Sequence, residues 1–203
     1  MHNYRLYLVT DENQNIETLK FVIKEAIAGG VTMVQLREKH GNVQEFIHRA
    51  LVVKALLINT GIPLIINDRV DVALAVDADG IHLGQSDMPV AIARRLLGKD
   101  KIIGLSVENS QQLDEAQNLP IDYIGLSAIY PTQTKTDTVY YWGIDGLKQA
   151  VETTSLPIVA IGGINDKNIS NVSATKVAGV ALVSAIAHAK SPKEACIKLL
   201  QKM

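Results

Sequence analysis

The sequence predicts an α/β fold, a single (β/α)8 TIM barrel of parallel strands spanning residues 1–203. Three observations point to it. Short apolar runs recur eight times along the chain, stretches at helical spacing lie between them, and polar residues fit for chemistry fall just after the runs. In such a barrel the working groups sit on the βα loops at the C-terminal mouth, and a phosphate commonly sits after strands 7 and 8. An open doubly wound sheet accommodates the same alternation and is the competing architecture.

The expected strands are Leu6–Val9, Met33–Leu36, Leu64–Ile66, Gly80–Leu83, Ile102–Leu105, Tyr123–Leu126, Ile158–Ile161 and Val180–Val183. They read as continuous apolar runs because parallel strands are covered on both faces. The run at Gly80–Leu83 is the weakest. Leu19, Val22, Ile23 and Ala26 mark the first helix, and Phe46, Ala50, Val53 and Leu57 the second, by their spacing on one face. Gly29-Gly30, Gly61 and Gly98 are expected to end helices in the left-handed conformation. Pro63 and Pro157 stand just before strands, where a fixed φ is tolerated.

With 203 residues, 47% of them hydrophobic, the chain can bury one substantial core, and no linker-like stretch divides it. A net charge of −1 offers no footprint for nucleic acid or an anionic membrane. The lone Cys196 excludes an internal disulfide and a cysteine-based zinc cluster, and its apolar, helically spaced neighbours read as those of an inert buried thiol. The first residues carry no secretory pattern and no run is long enough to span a bilayer, so a cytoplasmic enzyme is expected.

Asn67-Asp68 and Asp87 end neighbouring strands 3 and 4. Two carboxylates that face one another would suit Mg2+, which binds through one or two carboxylates plus substrate phosphates. Alternatively each caps the helix that follows it. In Gln35-Leu36-Arg37-Glu38-Lys39, alternation points Gln35, Arg37 and Lys39 the same way, into the mouth. Glutamine can hydrogen-bond a heteroaromatic ring, and the two cations can neutralise phosphate. The other reading is a solvated charged strand end.

Tyr130-Pro131-Thr132-Gln133-Thr134-Lys135 opens the longest loop, whose hydroxyls and lysine suit an anion and whose length suits a lid. Gly162-Gly163 and Val183-Ser184 would let backbone N–H groups approach a phosphate closely. His82 lies inside a strand, where a packed, hydrogen-bonded ring is favoured over an acid–base catalyst. No pair of side chains has the pattern of an activated nucleophile.

Taken in order, these segments resemble the thiamine phosphate synthase family. The resemblance runs through Gly30–Lys39, Ile66-Asn67-Asp68, Asp79–Asp87, Gly104-Leu105-Ser106, Asp122–Gly125, Pro131–Lys135, Ile161–Ile164 and Val183–Ile186. It implies an enzyme joining 4-amino-2-methyl-5-hydroxymethylpyrimidine diphosphate to 4-methyl-5-(2-phosphoethyl)thiazole, with loss of diphosphate. It assigns Gln35, Leu36, Arg37, Glu38, Lys39, Asn67, Ser106 and Lys135 to the pyrimidine diphosphate, with Lys135, Arg37 and Ser106 as the catalytic set. Asp68 and Asp87 would hold Mg2+. Thr132, Gln133, Thr134, Gly163, Val183 and Ser184 would hold the thiazole phosphate. The implied partners are the small-molecule substrates, and a homodimer is allowed.

The chain departs from the family at Ser127-Ala128, where many members read Gly-Pro; this bears on loop geometry rather than chemistry. A related thiazole tautomerase shares the barrel but needs no diphosphate site, and Asn67, Asp68, Asp87, Thr134 and Lys135 argue against it. A silent barrel that only binds a phosphorylated metabolite is the rival from another class.

Overall fold

The computed structural model describes residues 2–132 and 140–203. In chain order the elements are β1 Leu6–Val9, α1 Ile16–Ala28, β2 Met33–Leu36, α2 Val43–Leu57, β3 Leu64–Asn67, α3 Val70–Ala75, β4 Gly80–Leu83, α4 Val90–Leu97, β5 Ile102–Val107, α5 Ser110–Ala116, β6 Tyr123–Leu126, α6 Gly143–Thr153, β7 Ile158–Ala160, α7 Ile169–Ser173, β8 Gly179–Leu182, α8 Ser184–Ala187 and α9 Pro192–Gln201. Every strand pairs in parallel with the next, and β8 returns to β1, so the sheet is a closed barrel. Closure excludes the open doubly wound sheet.

Side-chain alternation sorts the strands into two cores. Outward residues such as Leu6, Leu8, Val34, Leu36, Leu64, Ile66, Ile81 and Leu83 pack with the helix faces into one large apolar layer. Leu19, Val22, Ile23 and Ala26 of α1 and Phe46, Ala50, Val53 and Leu57 of α2 belong to that layer, as their spacing predicts. Inward residues Tyr7, Val9, Met33, Ile65, Ile102, Tyr123, Val159 and Ala181 fill the barrel itself. Removing apolar surface from water at roughly 25 cal/mol per Å2 is the main drive for both layers.

Side-chain caps fix where several helices begin. Asn15 accepts from the Thr18 backbone N–H at 2.9 Å, Asn42 from Glu45 at 2.9 Å and Asn109 from Gln112 at 2.9 Å. At the other ends the glycine expectation needs correction in detail. Gly29 caps α1 with an ordinary right-handed φ, and the left-handed residue is Gly30 at φ 94°. Gly61 lies beyond the end of α2, which is followed first by left-handed Asn59. Gly98 does close α4, at φ 83°. Among the described residues no helix is long and apolar enough to cross a membrane.

Candidate functional site

A cavity of about 750 Å3 opens at the C-terminal ends of the strands and draws lining from all eight of them. The alternation expected in β2 and its loop is realised: Gln35, Arg37 and Lys39 line the cavity. Leu36 is wholly buried in the outer core, and Glu38 turns away to a buried ion pair with Arg49 at 2.7 Å. The side chains of Leu36 and Glu38 therefore stand outside the cavity that the family assignment gives them. Burial pushes the Glu38 carboxyl up, against the opposing pull of Arg49.

The β2–α2 loop is clamped by Glu12, which follows β1. Its carboxylate accepts the backbone N–H groups of Lys39 and His40, each at 2.8 Å, and lies 3.8 Å from the Arg37 guanidinium. Burial raises that carboxyl, but the N–H bonds from His40 and Lys39 and the His40 ring outweigh it and hold it below the usual range. The clamp fixes the backbone from which the Arg37 and Lys39 side chains extend.

Asp68 and Asp87 come together across the ends of β3 and β4, and neither is a helix cap. The residue capping α3 is Arg69 and the one capping α4 is Pro89, both without a side-chain cap bond. Asp68 instead adopts φ 62°, a left-handed backbone that aspartate tolerates at a cost of order 1 kcal/mol or more. Its carboxylate meets the Lys39 ammonium and faces the carboxyl of Asp87. Burial, and then Asp87, push the Asp68 carboxyl above its ordinary value in spite of Lys39. Asp87 accepts the Gly84 N–H at 2.6 Å, which folds the 84–87 turn back toward Asp68. Two adjacent hard oxygen donors, one of them held at an electrostatic loss, fit a divalent cation such as Mg2+. Among the described residues no group of three or more His, Cys, Asp or Glu could hold a metal, so substrate and water oxygens would complete such a site.

Gln35, Asn67, His82 and Ser106 form a polar floor below these charges. The Asn67 side-chain N–H2 is buried without an acceptor among the described residues. An unsatisfied buried donor costs about 1–3 kcal/mol, so it marks a place for a ligand oxygen or ring nitrogen. His82 is packed and hydrogen-bonded as expected: Nδ1 lies 2.9 Å from the Tyr123 hydroxyl and Nε2 2.9 Å from Ser106 Oγ.

The opposite rim is built from backbone. Gly162 and Gly163 are both left-handed, at φ 101° and 67°. A Cβ on Gly162 would come within 2.5 Å of the Ala128 Cβ, and one on Gly163 within 2.5 Å of the Pro131 carbonyl oxygen. Only glycines let the turn after β7 lie against the turn after β6. Thr132, Gly163, Val183 and Ser184 line this rim together, and α8 starts at Ser184. Gln133, Thr134 and Lys135 lie outside the described residues. At the departure from the family pattern, the Ser127–Ala128 peptide is cis, and the Ser127 carbonyl accepts the Trp142 indole N–H at 3.1 Å.

Reading the sequence alone missed Tyr7, Tyr123 and His188 as cavity-lining residues; Asp11, which stands just after the first apolar run, pairs with His188 at 2.6 Å on the rim. Tyrosine inside an apolar run reads as core filling. The signal for Tyr7 was its place two residues before Val9 and four before Asp11 on the inward face of β1. His188 follows α8 directly and gave no signal.

Comparison with known proteins bears on the family and the fold. The model of the thiamine monophosphate synthase family matches residues 6–186. A thiamine-phosphate synthase of Vibrio campbellii is 68% identical over 203 residues, covering 100% of both chains. One of Albidiferax ferrireducens is 50% identical over 198 residues, 97% of this chain and 90% of its own. The solved thiamine phosphate pyrophosphorylase of Pyrococcus furiosus superposes with a TM-score of 0.89 at 35% identity, covering 99% of this chain and 96% of its own.

Proposed function

The chain belongs to the thiamine monophosphate synthase family, and we propose that its barrel mouth joins a pyrimidine diphosphate to a thiazole phosphate, giving thiamine phosphate and diphosphate. It is a transferase of thiamine biosynthesis. The observation that supports this division of labour is one cavity with two unlike rims: side-chain charge at β2–β4 and glycine backbone at β7–β8. The pyrimidine diphosphate belongs at the first rim, with Arg37 and Lys39 on its phosphates, and Lys135 is assigned to the same diphosphate. The thiazole phosphate belongs at the second, on Gly163, Val183 and Ser184 with Thr132 to Thr134.

The reaction breaks the bond between the pyrimidine methylene and the diphosphate oxygen and forms one from the methylene to the thiazole nitrogen. Positive charge gathers on the methylene as the bond breaks, and electron release from the ring amino group offsets it. The protein's part is to neutralise the departing charge and to orient both partners. The backbone that carries Arg37 and Lys39 is pinned by Glu12. Asn67 offers an N–H2 without an acceptor among the described residues to the pyrimidine half or its phosphate, and Ser106 offers a hydroxyl. Mg2+ held by Asp68 and Asp87 would supply further positive charge to the diphosphate oxygens. Lys39, now against Asp68, would then be released toward phosphate. Packing of the two bound substrates against one another would keep water from the methylene. The substrates are phosphorylated small molecules, and the reading is of a cytoplasmic enzyme.

Incubating the purified chain with both substrates and Mg2+, then oxidising to fluorescent thiochrome phosphate, tests the reading. Thiamine phosphate should form in step with diphosphate, and only when both substrates are present. Binding of both substrates without product would leave a silent binding barrel, and thiazole isomerisation alone would leave a tautomerase.

A further inference from the structure

The barrel interior holds a line of polar groups that the reaction as described does not use. Tyr7 and Tyr123 are 1% and 0% exposed, yet their hydroxyls are linked end to end with groups in the cavity floor. Gln35 Nε2 donates to the Tyr7 hydroxyl at 2.8 Å, the Tyr7 and Tyr123 hydroxyls are 3.0 Å apart, Tyr123 lies 2.9 Å from His82 Nδ1, and His82 Nε2 lies 2.9 Å from Ser106 Oγ. Both ends, Gln35 and Ser106, line the cavity.

The sheet is shaped around this line. His82, Gly104 and Tyr123 are in register across β4, β5 and β6, and the two rings meet over the glycine between them. A Cβ on Gly104 would overlap the Tyr123 ring, and one on Gly125 would come within 2.8 Å of His82 Cε1. Neither glycine has a positive φ, so each is needed for room rather than for backbone freedom.

For a neutral imidazole, proton counting leaves two orders. Burial pushes both phenols up, so each keeps its single proton. If Gln35 donates to Tyr7, then Tyr7 donates to Tyr123, Tyr123 to His82 Nδ1, and the neutral imidazole carries its proton on Nε2 and donates to Ser106. The Ser106 proton then faces the cavity, and so does the Gln35 carbonyl. If the amide is turned over, every bond reverses, and the cavity receives an amide donor at Gln35 and an acceptor at Ser106. The substrate has an amino donor on its ring and acceptor oxygens on its diphosphate. Only the first order matches it at both ends.

We propose that Tyr7, Tyr123 and His82 form a positioning relay that fixes His82 as the Nε2–H tautomer, turning the Gln35 carbonyl to the pyrimidine amino group and the Ser106 hydroxyl to the departing diphosphate. The identity of the ligand in this proposal rests on the thiamine phosphate reading; the tautomer follows from the Gln35 amide, whose Nε2 donates to Tyr7. The relay explains why the barrel interior keeps these two linked phenols beside Tyr4, whose own hydroxyl donates to the Asp122 carbonyl.

Nitrogen-15 histidine spectra of the free protein, with His82 assigned through His82→Gln, read the tautomer directly. Nε2–H is expected, and Nδ1–H or a cationic ring would overturn the relay even in an enzyme that makes thiamine phosphate. Two conservative variants then separate the ends. Tyr7→Phe should keep the tautomer and raise KM for the pyrimidine diphosphate by roughly fivefold or more, with kcat within about twofold. Tyr123→Phe should let the tautomer mix and lower kcat by about tenfold, because Ser106 can then turn its proton to His82. KM for the thiazole phosphate should hold in both. Equal losses in kcat and both KM values, with the tautomer unmoved, would mean that the tyrosines only fill the barrel. A wild-type protein that forms no thiamine phosphate would sink the assigned reaction, while the spectra would still decide the relay.

Discussion

Ser184→Asp sets a carboxylate where the account puts the thiazole phosphate. Ser184 is exposed on the cavity rim and is the first residue of α8. An acidic residue at a helix start is favourable to the fold, so stability should hold. Two unit charges about 4 Å apart repel by about 1 kcal/mol in bulk water and about 4 kcal/mol at the effective dielectric of a protein surface. For an exposed rim residue we take about 2 kcal/mol, and at 1.4 kcal/mol per tenfold this is a weakening of about 30-fold. Steady-state thiochrome assays should find KM for the thiazole phosphate raised by about that factor, while calorimetry finds the pyrimidine diphosphate bound within about twofold of wild type. The effect should shrink in high salt, because the repelling groups are solvent-accessible. Equal losses for both substrates, or an unchanged KM, would refute the placement of the phosphate at this rim.

Asp68→Asn should abolish the Mg2+ response of thermal stability measured with pyrimidine diphosphate present. Because the folded-state carboxyl of Asp68 is raised by burial and by Asp87, its contribution is full below the ordinary carboxylate range and is lost as pH rises through the raised value. The neutral asparagine keeps that contribution, so the metal-free variant should melt no lower than wild type at neutral pH; a fall of several degrees would mean that the Lys39 contact dominates. Lys135→Ala should lower kcat by roughly 10²-fold with a smaller change in KM, as loss of one preorganised charge would; normal single-turnover rates would leave Arg37 and Lys39 to carry the leaving group. Cys196 is wholly buried and burial pushes its thiol up to about 12, so a thiol reagent at pH 8 should modify the protein only at the rate of unfolding. Rapid labelling of the native chain would contradict its burial.

The barrel was legible because parallel strands buried on both faces leave apolar runs that no loop imitates, and all eight lie within a residue or two of where those runs stand. Even Gly80–Leu83, the weakest run, is β4. The alternation of Gln35, Arg37 and Lys39 was legible for the same reason, since a strand's period of two survives into the first residues of its loop. Asp68 was ambiguous because a cap and a ligand look alike in sequence; its left-handed backbone and its approach to Asp87 appear only when β3 and β4 are side by side. Glu38 escaped because its partner Arg49 lies on a different element. The tyrosines escaped because their hydroxyls meet from opposite sides of the barrel, β1 and β6, a contact that no local pattern encodes.

A crystal structure with thiamine phosphate, diphosphate and Mg2+ tests the two-rim arrangement most directly. The account expects the metal on oxygens of Asp68, Asp87 and the diphosphate at about 2.1 Å, and the thiamine phosphate group on the backbone N–H groups around Gly163 and Ser184. A metal held away from both aspartates, or the two anions exchanged between the rims, would contradict it.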